Sequence, residues 1–156
     1  MSGLRTLIQS CDKCELCKNM SVSPVAIEYF GKEPTDVLII VGSTVKEQND
    51  LMQEVISGPN REIIKNIFTK LNLSFATTFL VKCITNKPIN SKRNVVLCEW
   101  IKKEIDVVRP KYIIGMGDVK YADINFDLIT KSPHLELGNK ESTVMFSKKI
   151  ERLLND

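Results

Sequence analysis

Short apolar runs alternate with segments of helical periodicity along most of this chain. Four segments are typical of strands, because they are short, rich in β-branched or aromatic residues and bounded by polar residues or glycine. These segments are residues 36–42, 77–82, 111–116 and 126–130. The first of them, DVLIIVG, is almost entirely apolar. That pattern predicts a strand buried on both faces of a parallel sheet.

Between these strands, apolar residues recur three and four positions apart, the spacing that places them on one face of a helix. The pattern predicts helices over residues 60–71, 94–108, 119–124 and 142–154, with Asn60 as the N-cap of the first and Pro110 ending the second. Residues 43–50 are polar and predict a loop. Strands that alternate with helices predict an α/β fold, a three-layer αβα sandwich with a central, mostly parallel four-stranded sheet.

The length and composition are those of one domain. The chain has 156 residues, of which 43% are hydrophobic and 26% charged, values close to the average for folded soluble domains. We therefore expect a single domain over residues 1–156 that begins with a cysteine-rich segment. No apolar run approaches the ~18 residues of a membrane-spanning helix, and the first residues lack the apolar core of a secretory signal. The sequence thus predicts a cytoplasmic protein with no membrane partner.

Five cysteines are the main candidates for chemistry. Cys11, Cys14 and Cys17 form a CxxCxxC segment, whereas Cys83 and Cys98 stand alone. An odd number of cysteines in a reducing compartment argues against a disulfide framework. CxxC spacing brings two thiolates to one metal and recurs in zinc and iron–sulfur sites, so both remain open on spacing alone. The alternative for Cys83 and Cys98 is that they pack as small hydrophobic residues in the core.

Basic residues follow the second predicted strand. In parallel sheets, ligands bind outside the carboxyl ends of the strands. The loop there carries Lys87, Lys92 and Arg93, next to Lys82 at the end of the strand. Such a cluster is suited to contact nucleic-acid phosphates, and a solvated charged loop is the alternative. The net charge of +3 permits nucleic-acid binding without arguing for it.

The order of these motifs resembles the iron–sulfur, family 4 type of uracil-DNA glycosylase, from about Cys11 to Leu154. The residues that carry the resemblance are CDKCEL, the strand ending in VG, SGPNREII, VKC, the cysteine 15 positions later and RPKYIIGMG. The resemblance implies a uracil-DNA glycosylase-like fold and a [4Fe-4S] cluster held by Cys11, Cys14, Cys83 and Cys98, with Cys17 as a spare thiol. Zinc is the second choice of metal.

The positions that match the family's catalytic motifs have changed in type. Ser43 and Thr44 stand in the loop where the family carries an acidic motif, Ile56 falls at the stacking phenylalanine, and Phe79 falls at the asparagine that reads uracil. Ser132 takes the place of the family's histidine.

Three residues are weak candidates to replace the lost chemistry: Asp50 and Glu47 in the first loop, and His134 in the late loop. Ser132 and His134, together with Lys87, Lys92 and Arg93, are also predicted to contact nucleic acid.

We therefore expect an iron–sulfur protein that has lost base excision and acts as a DNA-binding or DNA-associated accessory protein in replication or repair, with DNA and a possible protein partner. Enzyme activity is left open. The first alternative is an active glycosylase that excises uracil or a modified base. The others are a protein-interaction module without a nucleic-acid role and a generic zinc-binding α/β protein.

Overall fold

A computed structural model describes residues 2–11, 18–84, 100–120 and 122–155. Within these residues the chain forms an α/β fold around a five-stranded mixed sheet with the strand order β1-β3-β2-β4-β5. The strands are β1 (Glu28–Phe30), β2 (Val37–Val41), β3 (Phe75–Phe79), β4 (Tyr112–Met116) and β5 (Leu128–Thr130). Strand β2 pairs in parallel with β3 and β4, β4 pairs in parallel with β5, and β1 lies antiparallel to β3 at the sheet edge.

The prediction of a four-stranded sheet is wrong by one strand. Strand β1 has only three residues and pairs Glu28 with Thr77, so its sequence is too short to show an alternating pattern. Strand β3 also begins and ends earlier than the predicted 77–82, because Phe75 is in register with Val37 at the start of β2. As a result, Lys82 lies beyond the end of the strand.

Six helices are described, and three predictions about them need correction. The helices are α1 (Ser2–Gln9), α2 (Glu47–Met52), α3 (Pro59–Lys70), α4 (Trp100–Val108), α5 (Pro133–Glu136) and α6 (Lys140–Asn155). Helix α2 falls in a predicted loop, where the Asn49 side chain accepts the Lys46 N–H and closes the first turn. The N-cap of α3 is Gly58, not Asn60. The described residues of 119–124 form turns instead of a helix.

The hydrophobic core has one part on each face of the sheet, because alternate residues of β2 point in opposite directions. Val37, Ile39 and Val41 join the cluster that contains the buried residues of α3 and α6. Leu38 and Ile40 join the cluster that contains α1 and α4. Helices therefore cover both faces, which is compatible with the predicted three-layer arrangement. None of the helices in the described ranges has the length and apolar character to span a membrane.

Candidate functional site

A small cavity lies at the carboxyl ends of β2 and β3, the edge where ligands bind in parallel sheets. Its volume is about 130 Å³. Apolar side chains form one part of its lining, namely Val41, Val55, Ile56 and Phe79. Polar and basic side chains form the rest, with Ser43, Thr44, Lys46, Asn49, Ser57, Asn60 and His134 beside Pro133.

The fold thus brings the four predicted pocket residues and His134 into one lining, although they come from distant parts of the sequence. Phe79 is the last residue of β3 and is 2% exposed, and Ile56 is 4% exposed. Ser43 and Thr44 follow β2, and His134 lies in α5. The connections after several strands therefore meet at one edge of the sheet.

Two amides line the cavity, and only one is available to a ligand. The Asn49 carboxamide oxygen accepts the Lys46 N–H, and its NH₂ group donates to the carbonyl oxygens of Glu54 and Val55. The Asn60 side chain has no hydrogen-bond partner among the described residues. The sequence predicts Asn60 as a helix cap and not as a residue of the site. The preceding Gly58-Pro59 pair was the available signal, since proline favours the first helical position.

No carboxylate lines the cavity in the part of the chain that the structure describes. Asp50 is completely buried, and its carboxylate accepts the backbone N–H groups of Ser21, Val22 and Ser23. Glu47 is exposed in the first turn of α2. Both acidic candidates therefore lie outside the cavity lining, and Asp50 already serves to hold the loop at residues 21–23.

Ser132 and His134 are in contact beside the cavity. The Ser132 Oγ is 3.0 Å from His134 Nδ1. Ser132 lines an adjoining open groove that also contains Lys131 and Lys149. The Lys149 ammonium is 3.4 Å from the Glu136 carboxylate, whereas Lys131 and Lys46 are exposed.

Lys82 is buried and does not belong to the predicted basic cluster. Residues Lys87, Lys92 and Arg93 lie outside the described part of the chain. Lys82 is 1% exposed, and its Nζ lies 2.7 Å from Glu104 Oε1 and donates to Thr78 Oγ1. It is therefore unable to reach a phosphate, and the prediction that it belongs to the basic cluster is wrong.

Two of the predicted cysteine ligands are described, and each lies in a defined environment. Cys11 follows α1 and is half-buried, and the Trp100 indole donates its Nε1–H to Cys11 Sγ over 3.2 Å. Cys83 is 6% exposed. The other ligand positions, Cys14 and Cys98, and the spare Cys17 lie outside the described residues. Among the described residues, no three His, Cys, Asp or Glu side chains form a group able to hold a metal ion.

The residues that flank the cysteines contact one another. The Asn19 side chain donates to the carbonyl oxygen of Ile84 over 2.7 Å, and the Ile84 N–H lies 3.1 Å from the Met20 sulfur. The residues that follow the N-terminal cysteine segment therefore contact the residue after Cys83. The contact between Cys11 and Trp100 joins the beginning of that segment to the start of α4.

Neither the comparison with protein-family models nor the comparison with curated proteins gives a match to this chain.

Proposed function

We propose that this protein is an iron–sulfur protein with a uracil-DNA glycosylase-like fold that binds DNA as an accessory protein in replication or repair and does not excise bases. One observation carries the proposal. A cavity lies at the carboxyl edge of the sheet, and no carboxylate lines it among the described residues.

The fold supports this assignment in outline. Strands β3, β2, β4 and β5 pair in parallel, and hydrophobic clusters lie on both faces of the sheet. The finer description that we propose is a three-layer αβα sandwich of the glycosylase type, extended by the antiparallel strand β1. The cavity then lies where this type of sheet places its ligands.

The loss of excision follows from the chemistry that hydrolysis of an N-glycosidic bond requires. A positioned carboxylate or another preorganised charge stabilises the transition state, and its removal commonly costs orders of magnitude in rate. In this cavity, Ser43 and Thr44 stand where the resembled family carries its acidic motif, and Phe79 stands where that family carries the asparagine that reads the base. A phenyl ring offers no hydrogen bond to the edge of a base.

The cysteine environment fits a [4Fe-4S] cluster. Three contacts support convergence of the ligands: those from Trp100 to Cys11, from Asn19 to Ile84 and from Ile84 to Met20. Cys98 precedes Trp100 by two residues, and two residues span at most about 7 Å. Cys11, Cys14, Cys83 and Cys98 would hold the cluster, which would join the N-terminal segment to the sheet and supply stability to a small domain.

The DNA-binding surface that we propose surrounds the cavity. Lys46 and His134 line the cavity, Lys131 and Ser132 line the adjoining groove, and both lysines are exposed. Lysine side chains neutralise phosphates and release counterions, so the affinity should fall steeply with salt. Lys87, Lys92 and Arg93 extend this surface in the proposal.

The first experiment measures iron and sulfide in protein purified without oxygen and then tests excision from uracil-containing single-stranded and double-stranded DNA on the same sample. We expect four irons per chain, as in a [4Fe-4S] cluster, and no abasic product. Zinc in place of iron would contradict the cluster. Abasic product would contradict the inactive site.

The second experiment measures DNA affinity as a function of salt for the Lys46→Ala, Lys131→Ala double variant. Each lost phosphate contact should reduce the slope of log K against log salt by about 0.9 for double-stranded DNA. Lys102→Ala is the control, because Lys102 is exposed on α4, which packs on the opposite face of the sheet. A slope unchanged from that of the control would contradict the surface, and the absence of any DNA binding by the wild type would favour a protein-interaction role.

An active glycosylase is the second candidate, and the Asn60 amide in the cavity lining favours it, because it has no hydrogen-bond partner among the described residues. A cavity of about 130 Å³ is close to the ~150 Å³ of an apolar cavity that holds benzene, so one small ring fits. In an active enzyme, Asn60 would hydrogen-bond the base and His134 would stabilise developing charge. Asn60→Ala would then abolish excision, whereas the inactive scaffold shows no excision to lose.

A further inference from the structure

Helix α4 presents two buried polar side chains to the sheet, one turn apart. Trp100 is 6% exposed and Glu104 is 0% exposed. Because residues four apart lie on the same face of a helix, both side chains point into the same side of the core. Each of them binds a different part of the chain.

Glu104 closes a buried polar network at the end of β3. Its Oε1 is 2.7 Å from Lys82 Nζ, and its Oε2 accepts the Thr78 hydroxyl over 2.6 Å. The Lys82 ammonium also donates to Thr78 Oγ1 over 2.8 Å and to the carbonyl oxygen of Phe79 over 2.6 Å. The ammonium therefore has two hydrogen-bond acceptors and one ion-pair partner within the network. The backbone that leads into Cys83 is held to α4 by this pair.

Trp100 holds the other described cysteine. Its indole Nε1–H points at Cys11 Sγ over 3.2 Å, and Cys11 packs against the cluster that contains Trp100. A hydrogen bond from a nitrogen to a thiolate orients the sulfur and stabilises its negative charge. Helix α4 therefore contacts Cys11 through Trp100 and contacts Lys82, the residue before Cys83, through Glu104.

We propose that α4 is a brace for the metal site, in which Trp100 and Glu104 are positioning residues: Trp100 orients the Cys11 thiolate, and Glu104 fixes Cys83 through Lys82. This inference rests on the iron–sulfur site proposed above. A buried ion pair contributes little net stability compared with apolar residues of similar volume. Its fixed geometry is the property that ligand positioning uses, because outer contacts of metal ligands set their orientation.

The test compares the rate at which a chelator removes iron from the purified holoprotein under anaerobic conditions. Trp100→Phe keeps a ring in the core and removes the N–H, and Glu104→Gln keeps the shape and removes the charge. Both variants should lose iron roughly 10-fold faster or more, the range found for outer contacts of metal ligands. Ile101→Val is the matched control, because Ile101 is 4% exposed on the same helix and is an apolar member of the same core cluster.

A second measurement separates ligand positioning from general destabilisation. Hydrogen bonds to the sulfurs are among the factors that set the reduction potential of an iron–sulfur cluster. Trp100→Phe should therefore shift the potential to a more negative value, since a lost N–H···S bond disfavours the added electron. Ile101→Val should leave it in place.

If Glu104→Gln fails to fold, the Lys82→Met, Glu104→Leu double variant replaces the pair by apolar side chains that the core accepts. It should fold and still release iron faster than the wild type. The brace would be overturned if the double variant kept iron as long as the wild type. It would also be overturned if Trp100→Phe matched Ile101→Val in its rate of iron loss and in its reduction potential. Either result would leave the proposed cluster in place. A wild-type protein without iron would overturn the proposed cluster itself.

Discussion

Asp50 provides the sharpest test of the distinction between a structural and a catalytic carboxylate. Sequence analysis placed Asp50 among the weak catalytic candidates. In the structure it is 0% exposed and accepts three backbone N–H groups, from Ser21, Val22 and Ser23. We predict that Asp50→Asn destabilises the fold and that this change in stability, without a catalytic defect, is its primary effect.

The expected magnitude follows from the two carboxylate oxygens. Oδ1 accepts from Val22 and Ser23 at 3.0 and 3.2 Å, and an asparagine oxygen can keep these bonds in weaker, uncharged form. Oδ2 accepts the Ser21 N–H. An asparagine NH₂ group in its place would put two hydrogen-bond donors against each other, and this bond would be lost. A hydrogen bond to a charged group contributes about 1.5–3 kcal/mol, so the total cost should be about 3 kcal/mol.

The assay is equilibrium urea unfolding of both proteins under the same anaerobic, reducing conditions. With a slope of about 2 kcal/mol per molar urea, a loss of 3 kcal/mol lowers the midpoint by about 1.5 M. Glu47→Gln is the control on the same helix, because Glu47 is exposed. A surface change of this kind should alter the free energy of unfolding by no more than about 0.5 kcal/mol.

Two results would refute the reasoning. The first is an Asp50→Asn midpoint that matches the Glu47→Gln midpoint, since it would mean that the three N–H groups do not depend on the carboxylate. The second is base excision by the wild type that is lost in Asp50→Asn without a change in stability. That outcome would make the carboxylate a catalytic group.

Three further changes test the packing and the electrostatics of the fold. Gly42→Ala should lower the free energy of unfolding by about 1–3 kcal/mol, the usual cost of an overpacked site, because the new Cβ would lie 2.3 Å from the Asp118 carbonyl oxygen. Urea unfolding measures this change. Gly3→Ala should stabilise α1 by up to about 1 kcal/mol, because nothing lies within 4 Å of its Cβ position, and an unchanged or lower midpoint would contradict this. Burial, with a smaller contribution from the Glu104 charge, raises the pKa of Tyr29 to about 12, so an ultraviolet titration should show one tyrosine that ionises late. Because the unfolded chain releases that proton from about pH 10, this tyrosine lowers stability as the pH rises from about 10 to 12, and a Tyr29→Phe variant should lose less stability over that range.

Sequence patterns were most informative where a segment is apolar by itself. The run at Val37–Val41 is buried throughout, and the helical stripe that includes Ile64, Ile67 and Phe68 is buried in α3. These elements have strong periodicity because a whole face of each must leave water. Short elements such as β1, at Glu28–Phe30, carry no such signal, since their place depends on pairing with a distant strand.

The residue types of the candidate site were also visible in the sequence, but their roles were not. Ser43, Thr44 and Phe79 carry no carboxylate, and this is read directly from the sequence. Their meeting with His134 in one lining depends on the strand order, which places the ends of β2 and β3 side by side. Similarly, Asn60 lines the cavity because α3 begins at Pro59, so that Asn60 lies in the first turn of the helix and does not cap it.

The sequence alone determined the α/β class, the central strands and the set of thiols available for a metal, because periodicity and residue chemistry are local properties. Tertiary structure decided which charges are available. Asp50 falls in a predicted loop and Lys82 at the end of a predicted strand, yet both are buried with partners at residues 21–23 and at Glu104. A charge far from its partner in sequence looks identical to a solvated one. Only the packing of the chain shows that burial has paired it.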